Sequence, residues 1–444
     1  MRHSFSFRRF RLFPLYALLV LLVPACAGPL TKPPGLACGA RLPLHEPMDP
    51  TVSDGVSLLD DAIATRRQAA DGGPVVISIL ALSGGGKYGA FGAGFLAGWS
   101  QAERDGGILP IRREEIDIVT GISTGALLAT FAAVGNQPER EGDGNRRARA
   151  DEAAREAYAV SDAALFRKKG LLAALTSNGL VDPKGLLDRR VEGSVREFRE
   201  DIARLPDGHK VLIGATNLTN GKFYVADMRE VARNGAVADA CYAEWLLASA
   251  AVPASFPPRY IDGYGYVDGG IRFGAFLGRD VQRVVQRTRA AGSAAAGPDI
   301  RVNLIALFNN PISANDPAKN PDAALACDRS TLATAARDCP AVGNRVLTIA
   351  QRSVGEIMPH QVYLDSLYRL QRELEAEGVL GLSKFIYAAP ERIAAKGCRA
   401  TSGDQFDRDY MRCLYELGVE TAKKPALWQD FQSVPRALRA SERR

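Results

Sequence analysis

The chain has 444 residues, 46% of them hydrophobic and 24% charged. That is enough apolar material for one large core, and it excludes a disordered or low-complexity class. The formal charge of +6 would suit a polyanionic partner, but residues 1–25 hold four arginines and no acid, leaving only +2 on the rest. No nucleic-acid-binding motif accompanies that small excess, and Arg146-Arg147 and Lys168-Lys169 read as solvated helix faces.

In chain order, Arg2, Arg8, Arg9 and Arg11 precede an apolar run, Leu12 to Val23, that is short for a membrane span. It ends in Val23-Pro24-Ala25-Cys26, which resembles the lipobox of bacterial lipoproteins. Residues 1–25 are therefore expected to be a signal peptide, with Cys26 lipidated and the mature protein held on the membrane of the cell envelope; Pro24 is uncommon in a lipobox, and an ordinary secretory signal is the alternative. Residues 26–74 open with six prolines before position 51 and read as tether and lead-in.

From Val75 the pattern changes to strands alternating with helices, which predicts a sheet covered by helices. Strands are expected at Pro74–Leu82, Ile116–Thr120, His209–Thr216, Lys222–Val225 and Arg301–Phe308, with helices at Asp151–Ala164 and Leu186–Ala203. Gly142–Asn145 and Ala290–Gly297 read as surface loops. After Asn310 strands largely stop, and Val346–Gly378 is one long helical pattern. The expected division is a catalytic domain over 75–310 and a mainly helical extension over 311–444. The close pairs Cys327/Cys339 and Cys398/Cys413 suit local disulfides in an oxidising compartment. Cys241 reads as a small buried hydrophobe and Cys38 as part of the tether.

Three stretches carry chemistry. The first strand ends in Leu82-Ser83-Gly84-Gly85-Gly86-Lys87-Tyr88-Gly89. Consecutive glycines let backbone N–H groups converge on a negative oxygen, as an oxyanion hole requires. Gly84, Gly86 and Gly89 also fit a dinucleotide fingerprint, but the acid expected at the end of the second strand is missing, and no Gly-Lys-Ser/Thr completes a phosphate loop. No nucleotide is expected. The second strand ends in Thr120-Gly121-Ile122-Ser123-Thr124-Gly125, a serine on a tight strand-to-helix turn whose hydroxyl faces unpaired helix N–H groups. Histidines are scarce, so the base is sought among acids. Asp268, in Tyr266-Val267-Asp268-Gly269-Gly270, closes a short strand and follows Ala248-Ser249-Ala250-Ala251-Val252-Pro253 and Phe256-Pro257-Pro258.

These motifs, in this order, resemble the patatin-like phospholipase family over about Val75 to Asn310. The resemblance implies a three-layer α/β/α fold with a mostly parallel central sheet. It also implies a lipid acyl hydrolase that needs no metal or cofactor. By position, Ser123 would be the nucleophile, Asp268 the general base, and Gly84, Gly85 and Gly86 the oxyanion donors. Gly89, Gly121, Gly125, Gly269 and Gly270 would support them, and the partners would be acyl esters of lipids or phospholipids. Leu171, Leu172 and Leu175 would suit a lipid-facing entrance or a core helix. Two departures from the family pattern stand out. Tyr88 occupies the place of a basic residue, with Lys87 one position earlier, and Ile271 to Phe276 replaces an Asn-Pro. Two other readings stay open here: a Ser–Asp–His esterase using His360, and an exported binding lipoprotein that keeps the motifs for turn geometry.

Overall fold

The computed structural model describes residues 35–39, 42–43, 59–71, 73–138, 145–159, 167–168, 181–182, 191–253, 255–276, 300–313, 315–318, 320–331, 333–339, 349, 352–353, 357–376, 380–402 and 406–431. The leader with Cys26, the leucines at 171, 172 and 175, and the stretch 290–297 lie outside them. The main elements are α1 (Asp60–Ala69), β1 (Val75–Leu82), α2 (Gly89–Arg104), β2 (Ile118–Ile122), α3 (Thr124–Asn136), α4 (Arg146–Ala159), α5 (Glu192–Ala203), β3 (Lys210–Asn217), β4 (Phe223–Asp227), α6 (Ala238–Ser249), β5 (Arg259–Ile261), β6 (Tyr264–Asp268), β7 (Ile300–Phe308), α7 (Met358–Ala376), β8 (Leu380–Tyr387) and α8 (Arg408–Ala422). Among the described residues no helix is long and apolar enough to cross a membrane.

β1 reads Val-Val-Ile-Ser-Ile-Leu-Ala-Leu and is buried at every position except Val76, as a strand covered on both faces must be. It lies at the centre of a sheet ordered β4-β3-β2-β1-β7-β8. From β3 to β8 all neighbours are parallel. β4 pairs antiparallel with β3, and two short antiparallel strands, Leu42–Pro43 and Gln429–Asp430, finish the edges. One apolar cluster joins Leu80, Val119, Val211 and Leu307 to α2, α3, α6 and α8. A second joins Ile77, Ile118, Leu212 and Phe308 to α1 and α7 on the opposite face. The fold is thus the three-layer α/β/α arrangement expected.

One detail of register positions everything that follows. β2 accompanies β3 as far as Ile122 opposite Gly214. At the next residue of β3, Ala215, β6 takes over the same edge from the other direction, with Asp268 opposite Ala215. The C-terminal ends of β2 and β6 therefore meet head-on.

Several expectations need correction. After Asn310 the described residues are mainly helical, as expected, but one long strand was not anticipated: β8 extends the sheet in parallel beside β7. Its Leu-Gly-Leu-Ser-Lys-Phe-Ile-Tyr pattern was masked by the long helical pattern before it, which the structure realises as α7. The second segment is integrated at α8 as well. α8 is capped by Asp407, whose carboxylate accepts the Tyr410 N–H at 2.9 Å. α8 crosses α2 where glycines remove the intervening side chains: a Cβ on Gly98 would approach Val419 O to 2.5 Å. Trp428 closes the seam against Phe95 and Trp99, with ring centroids 5.0 Å from each. Helix α4 starts at Arg146, earlier than expected, and Arg147 is not a solvated face. It donates to Glu103 at 2.6 Å and to the Gly135 carbonyl at 2.8 Å. Lys168 lies in a two-residue strand rather than on a helix.

The cysteines differ from expectation in one pair. Cys327–Cys339 and Cys398–Cys413 are bonded as expected. Cys241 is not a free buried thiol: it is bonded to Cys38, 203 residues away. The lead-in is held there further by Asp262, whose carboxylate accepts the Cys38 N–H at 2.7 Å. Spacing along the chain carries no signal for a pair this distant. Closing so long a loop restricts the unfolded chain by an amount equivalent to about 5 kcal/mol. Peptide mapping without reductant is expected to recover a Cys38–Cys241 peptide, and Cys38→Ala with Cys241→Ala to lower the melting temperature by many degrees. Free thiols at both positions in folded protein would contradict the pairing.

Candidate active site

Ser123 is the single residue between β2 and α3, at φ 54° and ψ −122°. An L residue adopts that backbone only when its surroundings hold it there, at a cost on the order of 1–3 kcal/mol. Backbone packs closely on both sides of the turn. A Cβ on Gly121 would lie 2.8 Å from Ala126 Cα, and one on Gly125 would lie 2.6 Å from Ser83 O. The Ser123 N–H donates to Ser249 Oγ at 3.0 Å, and the Ser249 hydroxyl donates to the Gly214 carbonyl at 2.6 Å. Ser249 ends α6 and thus ties the serine turn to β3. Only the Ala-Ser-Ala-Ala motif hinted at it, and no role followed from sequence alone.

Asp268 reaches the same place from the opposite strand. Its N–H donates to the Ala251 carbonyl at 2.9 Å, and Oδ1 accepts the Gly270 N–H at 2.6 Å. The Ser123 side chain faces this carboxyl group closely enough to lower its proton affinity. Burial pushes this carboxyl up to about 6, against the lowering effect of Ser123 and the Gly270 hydrogen bond. Among the described residues no histidine acts on it. His360 lies on α7, half-buried. Gly269 packs on the Gly214 carbonyl. Where the family pattern has Asn-Pro, Phe273 and Phe276 meet Phe223 edge-on at 4.8 and 5.3 Å, so ring packing supports the aspartate loop.

The glycine loop lies beside the serine. Gly85 and Gly86 have φ of 145° and 55°, conformations open to glycine and strained for other residues. Thr124 Oγ1 donates to the Gly86 carbonyl at 3.0 Å, joining the loop to the start of α3. On the other side Asn309, just after β7, donates its Nδ2 to Ser83 O at 2.5 Å and its N–H to Ser83 Oγ at 3.0 Å. Gly89 begins α2 against Tyr158 and Thr124. The site thus occupies the carboxyl edge of the parallel strands, where open α/β sheets place their sites. Lys87 does not point its charge at that site unpaired: Nζ meets Asp316 at 2.6 Å, and the Tyr88 hydroxyl donates to the same carboxylate at 2.5 Å. Burial would raise the Asp316 carboxyl, but Lys87 and Tyr88 outweigh it and hold it below the usual range.

Tyr363, on α7, is the site residue that motif reading missed altogether. A Cβ built on Gly84 would stand 2.5 Å from the Tyr363 hydroxyl and 3.2 Å from Ser123 Cβ. Nothing in the local sequence marks it, because it comes from the far end of the chain.

The raised value of Asp268 has a stability consequence. A carboxyl that holds its proton more tightly when folded destabilises the fold once the pH exceeds its folded value, and has no effect below its unfolded value. From 3.8 to about 6 the cost is about 3 kcal/mol. Asp268→Asn is expected to melt above wild type at mildly alkaline pH, with the gap closing as pH falls from about 6 towards 4. A gap independent of pH would show that the carboxylate is not buried at this cost.

The sequence model of the patatin-like phospholipase family matches residues 80–276, which hold the glycine loop, Ser123 and Asp268. No curated protein matches the chain. Among solved structures, VipD from Legionella pneumophila is similar at 12% identity and a TM-score of 0.30, over 78% of this chain and 66% of that one. Residues 80–276 are thus similar to the patatin-like phospholipase family.

Proposed function

We propose that the protein hydrolyses carboxylic esters of lipids through an acyl-enzyme on Ser123, with Asp268 as the only side-chain base. The observation that carries this reading is the meeting, at two opposed strand tips, of a serine on a strained turn and a carboxyl raised to about 6. Asp268 accepts the Ser123 proton as Oγ attacks the ester carbonyl, and the carbonyl electron pair moves to its oxygen. That oxygen is held by N–H groups of Gly84, Gly85 and Gly86, with the first turn of α3 directed at it. Collapse breaks the bond to the leaving alkoxide, which takes the proton from Asp268. Water then repeats the sequence on the acyl-enzyme. A lone carboxylate is a weak base, so its raised affinity for protons matters, and so do the oxyanion donors, each worth about 3–4 kcal/mol.

The reading includes export. The basic and apolar leader, Ala25-Cys26, and three disulfides among the described residues support a lipid-anchored protein of an oxidising cell-envelope compartment. No observation favours the histidine triad. His360→Ala is expected to retain activity.

Ser123→Ala and Asp268→Asn are each expected to lower kcat by about 10⁴-fold and to abolish labelling by a serine-directed fluorophosphonate. Wild-type labelling of Ser123→Ala would end the proposal. Because the base must be ionised, kcat/KM is expected to fall as pH drops through about 6, by about tenfold per unit below it. Radiolabelled palmitate fed to expressing cells is expected to mark the protein but not Cys26→Ala; equal labelling of both would refute the anchor.

A further inference from the structure

The Tyr363 hydroxyl has no part in the dyad chemistry above, yet it stands at the dyad. Its ring is fixed on two sides. A Cβ on Gly274 would come within 2.6 Å of Tyr363 Cδ1, and Phe308 lies edge-on with centroids 6.2 Å apart. Helix α7 is held to the aspartate loop one turn further on, where the Gly274 N–H donates to Ser366 Oγ at 2.7 Å. The ring therefore has little freedom, and its oxygen is delivered to the space between Gly84 and Ser123. Among the described residues that hydroxyl takes no hydrogen-bond partner, and it lies in the field of the Asp268 carboxylate. Burial, then that carboxylate, push its ionisation well above the usual phenol range, so it remains a proton-bearing donor at any working pH.

We propose that Tyr363 is a catalytic residue whose phenolic O–H donates a hydrogen bond to the oxyanion of the tetrahedral intermediate. This rests on the reading of Ser123 as nucleophile and Asp268 as base. When Ser123 Oγ bonds to the ester carbon, the carbonyl electron pair moves to oxygen. Tyr363 shares its proton with that oxygen without giving it up. The proton from Ser123 still goes to Asp268 and then to the leaving group. A donor fixed before substrate arrives costs no reorganisation as charge develops, which is the condition under which such groups lower a barrier most. A patatin-like domain with a two-residue dyad thereby gains a donor from outside the family-matched segment.

The test uses the full chain with Tyr363→Phe, which removes one oxygen and keeps the ring packing. Two esters are compared, one with a p-nitrophenyl and one with an alkyl leaving group. The variant is expected to lower kcat by about 10²-fold on both, with KM changed by less than about twofold. The acid limb of kcat/KM should stay where Asp268 sets it, and the melting temperature should match wild type. A loss confined to the alkyl ester would assign the hydroxyl to the leaving group and overturn the proposal. A shifted acid limb would make Tyr363 a residue that tunes Asp268, and unchanged kcat would leave it structural; either result also overturns the proposal. Ser123→Ala, assayed alongside, separates the two levels: if it hydrolyses both esters normally, the nucleophile reading itself is wrong.

Discussion

The site depends on one feature of strand register, the handover at Gly214–Ala215 of β3. Two strands running in opposite senses share the same edge there and end nose to nose. Each delivers the residue at its tip, so Ser123 and Asp268 meet without any loop having to carry them. Backbone geometry tolerates the junction because Gly214 has no side chain and Phe223 fills the space beneath it. The Ser249 hydroxyl then bridges the Ser123 N–H and the Gly214 carbonyl, satisfying two buried groups that a broken ladder would otherwise leave unpaired. The glycine loop and the long helices of both layers are arranged around this point.

Placement on strand ends also accounts for the electrostatics. A carboxyl buried at the sheet edge loses hydration and gains proton affinity. In the proposed mechanism, the same burial that weakens the fold at neutral pH makes Asp268 a better base. Stability and chemistry are opposed at this one residue.

Much of this was legible from sequence where the cause is local. A glycine run, a serine on a tight turn and Asp-Gly-Gly are each short signals of backbone geometry, and the strands before them are strongly apolar. β8 was obscured because a short buried strand following a long helical pattern has no distinct period of its own. Ser249 was visible only as part of a motif, since its role is to join three elements. Cys38–Cys241 and Tyr363 left no trace, because each contact spans more than two hundred residues and neither partner has a characteristic neighbourhood. Arg147 was misread for a related reason: a basic pair on a polar helix does not reveal that Glu103 waits on another.

The position of β7 has a further consequence. β1 is flanked by β2 on one side and β7 on the other, and β7 lies more than two hundred residues downstream of β1. A chain emerging from its N-terminus therefore carries β1 with an open edge for most of its synthesis, and open edges invite wrong pairings. Asn309, which braces the glycine loop, arrives only with the end of β7, and α7 and α8 arrive later still. The central strand β1 thus gains its second neighbour only after every strand that carries a motif has been made. A nascent or truncated polypeptide thus holds the motifs before the residues that brace them, so the proposed lipid-cleaving chemistry waits on delivery of the downstream segments.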